Sequence, residues 1–507
     1  MTLSAAEIDL IIKEAGDSGE SSPRSRRVAE MRRLLRALPN FEFQSARATA
    51  LRKLCAAGTQ YGWRELEKNA PTQLLARLSD RAKASVRRNL QRDLEWITRP
   101  SFTLEWKSFG LAIASMGLTT GKPDQMAIER MFLRDRPSHR LFSLFKKFPV
   151  LARLWSQSIE QWRAHVKEVL FRFAQDRWAL SHTFFSNRPI LQIRDAHFGL
   201  SDRHHAGRTV VRLQFESDSI IYKPRSGRGE LEWFSLLRWM NEHGFRPKLR
   251  AARVLPRKGY CWMENVESAS LLNEAAARRF YQRMGGIIAA AHLLRAVDCH
   301  RDNFIASGEH PVLVDADALW HVPPRTKTAR ASDLLHRTGF FPNANPLSLQ
   351  SRSSILGPGM GTHLPRVGSR SLAAAHYQRE MILGFARAWH CLVGTTKARE
   401  AFARRLKRIR STERRWIYRA TDTYAAILDA SIQPPALRSG WDRDIVIRAR
   451  CPPDSSGSRV AGAEVRALKQ LDIPYLTTET DQRLPPDQPT APSELIEALG
   501  AVLPDPV

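Results

Sequence analysis

The chain has 507 residues, 43% of them hydrophobic, and carries 79 Lys and Arg against 51 Asp and Glu, a formal charge of +28. That length and composition describe a globular protein of two or three domains with a large core, and no run of 18 or more apolar residues is present to form a membrane span. The charge is spread along the whole chain, with arginine in place of lysine. This points first to an arginine-rich proteome, second to an acidic peptide partner, and last to nucleic acid, for which no base-stacking motif is found.

The first twenty residues are acidic and amphipathic rather than basic and apolar, so they do not read as a signal peptide and the expected location is the cytoplasm. Residues 1–190 read as helices. Val28, Met31, Leu34, Leu35 and Leu38 make one apolar stripe, and the aromatic residues from Phe102 to Phe185 fit helix-packing anchors. Gly16 to Ser25 is a polar break. Near residue 205 the texture changes: Thr209 to Phe215 alternates, Glu216-Ser217-Asp218 is a turn, and Ser219 to Lys223 is a second strand. Tyr260 to Val266 reads as a strand and connector suited to lie against an adenine. Met284, Ile287, Ile288 and Ala291 recur at helical spacing just before residue 298. Ser332 to Arg370 is rich in Ser, Gly, Pro and Asn, a long surface excursion or lid. Helices resume from Ala373 to about Leu428, and Leu484 to Val507 is a proline-rich acidic tail.

The chemistry concentrates in DCHRDNFIASGEHPVLVDAD, residues 298–317. Asp298 precedes Asn303 by five residues, and Asp315 closes an apolar strand twelve residues further on, with Asp317 two residues beyond it. Kinase-like phosphotransferases use such a loop and strand: one Asp orients the hydroxyl nucleophile, while an Asn and a second Asp hold Mg²⁺ against the nucleotide phosphates. Lys223 ends a strand 75 residues earlier, where a point charge can reach phosphates, and the order Lys, Asp/Asn, Asp is the kinase order. No Gly-x-Gly-x-x-Gly loop precedes it. The five cysteines form no CxxC pair, which leaves neither a disulfide framework nor a thiolate zinc site, and Cys299 inside the loop reads as a small filler side chain.

A series of ordered blocks resembles the N-terminal dehydratase domain of class II (LanM-type) lanthipeptide synthetases. Residues 202–208 (DRHHAGR) look like that family's Asp-x-His-x-x-Gly block, IIYKPR (220–225) like its strand lysine block, and YCWMENV (260–266) like its Trp-x-Glu block, which contributes Glu264. The 298–317 segment is similar to its catalytic and metal block, RRWIYRATDTY (414–424) to its Arg-x5-Thr block, and LDIPYLTT (471–478) to a late block. Asp302 and Asp317 stand where the family commonly has Glu, which keeps the charge. The resemblance implies an α+β fold: a helical N-terminal region (1–195), a lipid-kinase-like bilobal core (196–430), a helical C-terminal extension (431–485) and the tail (486–507).

It also implies a function, ATP- and Mg²⁺-dependent phosphorylation of Ser and Thr in a ribosomally synthesised precursor peptide with a leader, then elimination of the phosphate. Lys223, Glu264, Asp298, His300, Asn303, Asp315 and Asp317 would serve phosphorylation. Asp202, His204, Arg415 and Thr421 would serve elimination. β-Elimination needs a base for the Cα proton and charge stabilisation for the departing phosphate. The planar donor fork of Arg415 suits the phosphate, and His204, held by Asp202, can move a proton near neutral pH. The residues do not decide which group takes the Cα proton. The zinc-binding set of the family's cyclase is missing, so ring closure by this chain is not expected: either a separate cyclase acts, or the product stays dehydrated or is processed by another enzyme. A kinase that stops at phosphorylation, and a non-catalytic basic module for a leader peptide or nucleic acid, are the alternative readings.

Overall fold

A computed structural model describes residues 3–16, 24–40, 49–116, 131–132, 137–190, 192–321, 335–341, 356, 364–452, 458–478 and 496. The chain forms two compact units, one from residues 1–219 and 419–474, the other from residues 220–418 and 475–507. The predicted excursion from Ser332 to Arg370 and the predicted tail lie largely outside the described residues. The composition is mixed, helices with small antiparallel sheets, as an α+β reading requires.

Among the described residues the first unit opens with the helices α1 (Ala5–Glu14), α2 (Arg24–Ala37), α3 (Ala50–Asn69), the single turn α4 (Thr72–Leu75), α5 (Asp80–Ser115), α6 (Pro137–Lys147) and α7 (Pro149–Phe184). Ser4 starts α1 with a capping box, accepting from the Glu7 amide at 3.2 Å while its own amide donates to the Glu7 carboxylate at 2.8 Å. The stripe read from the sequence on α2 faces inward: Met31, Leu34, Leu35 and Leu38 are buried. Gly58 and Gly62, one turn apart on α3, make room for large neighbours, because a Cβ at Gly58 would stand 2.5 Å from the Trp155 ring and one at Gly62 2.7 Å from Leu90. The Trp155 indole donates to Thr98 at 2.8 Å, which satisfies the ring N–H that this packing buries. Strands β1 (Asp195–His197) and β2 (Val211–Gln214) pair antiparallel, Asp195 opposite Gln214.

In the second unit β3 (Ser219–Lys223) leads to α8 (Arg228–Glu242), then β4 (Val254–Arg257) and β5 (Tyr260–Glu264). The strands pair antiparallel in the order β3-β5-β4, with Lys223 opposite Cys261 and Ile220 opposite Glu264. Helix α9 (Glu274–Leu293) buries Met284, Ile287, Ile288 and Ala291, the apolar face predicted from spacing. A loop then feeds the hairpin β6 (Phe304–Ser307) and β7 (His310–Leu313), closed at Gly308 with φ 58°. After the short pair β8 (Arg366–Val367) and β9 (Arg370–Ser371) come α10 (Gln378–Val393), α11 (Thr396–Arg410) and β10 (Arg414–Trp416). Helices α9 and α10 approach backbone to backbone. A Cβ at Gly285 would lie 1.9 Å from the Met381 carbonyl oxygen, and one at Gly384 1.9 Å from that of Gln282.

The chain returns to the first unit as α12 (Thr421–Ser431), α13 (Gly440–Arg450) and α14 (Ser458–Lys469). Arg443, fully buried on α13, donates to the carbonyls of Leu468 at 3.0 Å and Lys469 at 3.1 Å, so the end of α14 is tied down at its orphan acceptors. Strand β11 (Leu476–Thr478) pairs with β10 in the second unit. Among the described residues no helix is long and apolar enough to cross a membrane.

Candidate active site

In the second unit the strand lysine enters a buried network of ion pairs. Lys223, 4% exposed, donates to Glu230 at 2.9 Å and to the Val314 carbonyl at 2.6 Å, and lies 3.8 Å from the Asp315 carboxylate. Glu230 is on the first turn of α8 and is 1% exposed. Arg225 forks between it and the metal-block strand: it binds Glu230 at 2.7 Å, Asp317 at 3.2 Å, and also Asp315. Burial alone would raise the Glu230 pKa, but Lys223 and Arg225 together outweigh it and hold the carboxyl below its ordinary value. Burial pushes the Asp315 carboxyl up, and neighbouring Asp317 adds to the shift. The sequence reading passed over Glu230, Arg225 and Tyr475. Two of them were findable, since Arg225 and Glu230 follow the strand lysine by two and seven residues.

The residues of the predicted catalytic loop form the other end of the same network. Asp298 has φ 64°, a left-handed conformation uncommon for a residue with a side chain. Its carboxylate accepts from Arg415 at 3.2 Å and faces His300 Nε2 at 3.3 Å. The Asn303 amide donates to the Asp298 carbonyl at 2.8 Å, and the Val314 amide to the Asn303 carbonyl at 2.9 Å, which holds the loop beside the strand that carries Asp315. Burial works against the His300 cation, yet the Asp298 contact prevails and its pKa is raised. Arg415, assigned from the resemblance to elimination, thus sits with residues that the resemblance assigns to phosphorylation. Its amide donates to the Asp317 carbonyl at 2.9 Å and its guanidinium lies 5.5 Å from the centre of the Tyr475 ring. Burial disfavours that cation, but Asp317, Asp298 and Asp315 more than compensate, and its pKa is raised. The Tyr475 hydroxyl bonds Asp317 at 3.1 Å.

Glu264 stands three residues along the β3–β5 register from Lys223 and is engaged by Arg250 at 2.7 Å and Arg253 at 3.3 Å. Cys299 is buried and its thiol is pushed up by burial, which fits a filler side chain. Among the described residues no group of three or more His, Cys, Asp or Glu side chains has the arrangement of a metal cage.

Asp202, His204 and Thr421 belong to the first unit. Asp202 is exposed and His204 half-buried at a turn; the His204 Nδ1 bonds the Ile473 carbonyl at 2.7 Å. Thr421 is the first residue of α12.

Residues 148–362 and 348–479 match the model of a family described as a domain of unknown function, DUF4135. The chain belongs to the DUF4135 family. It is also 21% identical over 390 residues to the lacticin 481/lactococcin biosynthesis protein LcnDR2 of Lactococcus lactis subsp. lactis, an alignment covering 67% of this chain and 41% of that protein. The chain therefore spans about two fifths of the relative's length. The resemblance of this DUF4135 chain to the dehydratase region of class II lanthipeptide synthetases, read from its ordered blocks, rests on both matches.

Proposed function

We propose that this chain takes part in lanthipeptide maturation, dehydrating Ser and Thr of a ribosomally made precursor peptide in two steps. In the first, the side-chain hydroxyl oxygen bonds to the γ-phosphorus of ATP, the bond to the ADP oxygen breaks, and the hydroxyl proton passes to a base. In the second, a base takes the Cα proton, the Cβ–O bond breaks with its electron pair leaving on phosphate, and a Cα=Cβ bond remains. What supports the reading most is the buried network that runs from the strand lysine through Glu230, Arg225 and the Asp315/Asp317 pair to Arg415 and Asp298. A lipid-kinase-like core is part of the proposal, because strand Lys, helix Glu, loop Asp/Asn and strand Asp follow one another in the kinase order.

Lys223 would hold nucleotide phosphates, with Glu230 keeping its ammonium in place. Asp298, its carboxylate oriented from two sides by Arg415 and His300, would orient the hydroxyl. The site suits Mg²⁺. Asn303 spends its amide N–H on the Asp298 carbonyl, which leaves its oxygen as a donor to metal, and burial beside Asp317 makes a divalent cation favourable for Asp315. Mg²⁺ is usually bound by one or two carboxylates together with substrate phosphates rather than by a full protein cage. Held by Asn303, Asp315 and Asp317, the ion would neutralise charge on the phosphates. Arg415, kept cationic by three aspartates, would then stabilise the departing phosphate, and His204, with Asp202 and Thr421, would serve proton movement in elimination.

The test is mass spectrometry of the precursor peptide after incubation with the chain, ATP and Mg²⁺. Loss of about 18 Da per residue marks dehydration, and gain of about 80 Da marks phosphorylation alone. Lys223→Ala should abolish both, and Arg415→Ala should accumulate phosphopeptide. Dehydration by Lys223→Ala would sink the phosphorylation step, and full dehydration by Arg415→Ala would remove that residue from elimination.

A further inference from the structure

The turn that carries His204 is held by a buried carboxylate that arrives from 265 residues further along the chain. His205, Ala206 and Gly207 have φ of 47°, 66° and 80°, three successive left-handed residues, two of which bear side chains that disfavour this region. Such a turn aims consecutive amide N–H groups into one concavity, a nest for an anion. Asp472, 2% exposed, fills it, accepting from the Ala206 amide at 2.6 Å and from the Gly207 amide at 2.9 Å. The next residue completes the fixture. The Ile473 amide donates to the Arg203 carbonyl at 2.8 Å, and the Ile473 carbonyl accepts from His204 Nδ1 at 2.7 Å. Mutual backbone bonds between His204 and Arg208, at 2.9 and 2.7 Å, close the turn. A carbonyl oxygen can only accept, so Nδ1 must carry a hydrogen.

We propose that Asp472 and the Ile473 backbone are positioning groups for His204: they hold its turn and fix the neutral imidazole as the Nδ1–H tautomer, which makes Nε2 the atom that gains and loses the proton in elimination. The proposal rests on the reading of His204 as an elimination residue. It places the 471–474 segment, otherwise only a motif of small hydrophobic residues around one acid, in service of that chemistry.

Two measurements test it. In the full-length chain labelled with ¹⁵N-histidine, the His204 resonances are those lost in His204→Gln. The expected neutral form has a protonated Nδ1 and an unprotonated Nε2; the opposite tautomer overturns the proposal. Asp472→Asn keeps the shape but turns an N–H₂ group toward an amide that needs an acceptor. It should raise the ratio of phosphopeptide to dehydrated peptide at least tenfold and give a mixed His204 tautomer. A folded variant with a ratio within twofold of the parent chain overturns the positioning role. Where the variant does not fold, the tautomer in the parent chain decides. Elimination at the parental rate by His204→Gln would overturn the functional reading of His204 itself, an outcome distinct from a wrong tautomer, which would leave that reading standing.

Discussion

Glu230→Gln probes the network at its least exposed member. The substitution keeps the volume and one acceptor oxygen but removes the charge that faces Lys223 at 2.9 Å and Arg225 at 2.7 Å, in a site where Glu230 is 1% exposed. Removing one partner of a buried ion pair costs about 3–5 kcal/mol, because the remaining charges stay desolvated. Here Asp315 and Asp317 still face the two cations, so the lower end, about 3 kcal/mol, is expected. For a unit of this size each kcal/mol moves the melting temperature by roughly 2–4 °C, which gives a fall of roughly 6–12 °C. The Glu230 pKa is depressed, so its contribution is present above the unfolded carboxyl value of about 4.3 and is lost only as pH falls through the folded value. The difference between variant and parent should therefore stay flat from pH 8 to pH 5. Calorimetry across that range is the assay, with phosphopeptide formation measured on the same samples. A melting temperature within 2 °C of the parent would refute the reasoning, since Lys223 and Arg225 would then not depend on Glu230.

Gly285→Ala puts a methyl group against the Met381 carbonyl, a backbone atom with no rotamer to yield, and should cost about 3 kcal/mol or more, read as a lower denaturant midpoint. With iodoacetamide under native conditions, labelling should be confined to Cys391, because Cys55, Cys261, Cys299 and Cys451 are buried; peptide mapping checks this. Burial pushes the Asp472 carboxyl up to about 6, against Arg203 and Arg208 on its turn, with Asp93 and Glu168 paired behind them on α5 and α7. A raised carboxyl pKa means that its stabilising contribution is full below about pH 4 and is lost as pH rises through 6. Melting of the parent chain should thus gain more than that of Asp472→Asn between pH 7.5 and pH 5, by about 1.4 kcal/mol, and parallel curves would contradict the assignment.

Local pattern made much of this molecule readable. The stripe from Met31 to Leu38, the strand ending in Lys223, the buried face of α9 and the loop-strand-acid order from Asp298 to Asp317 all follow from periodicities of 3.6 and 2 and from turn residues, whereas the first strand of the hairpin, β6, does not. What stayed hidden depends on chain segments far apart. Arg225 and Glu230 lie close to Lys223 in sequence, yet the Asp315 carboxylate that Arg225 engages stands 90 residues on. Tyr475 and Asp472 come from one short segment and go to different partners, Asp317 in one unit and the His204 turn in the other. The pairing of Gly285 with α10 is invisible because glycine in a helix leaves no positive signal of what approaches it.

The division of each unit between two stretches of chain has a consequence for synthesis. A ribosome adds about 5–20 residues per second, so residue 474 emerges roughly 25–95 s after the first helices. Until then the N-terminal helices lack α12 to α14, and the nest at Ala206 and Gly207 waits for Asp472. The second unit has helices α8 to α11 once residue 418 is made but still lacks β11 and Tyr475, which follow residue 474. Both units therefore stay open until the last part of the chain is made: the first closes at residue 474 and the second only after it, so apolar faces of both are exposed in the interval.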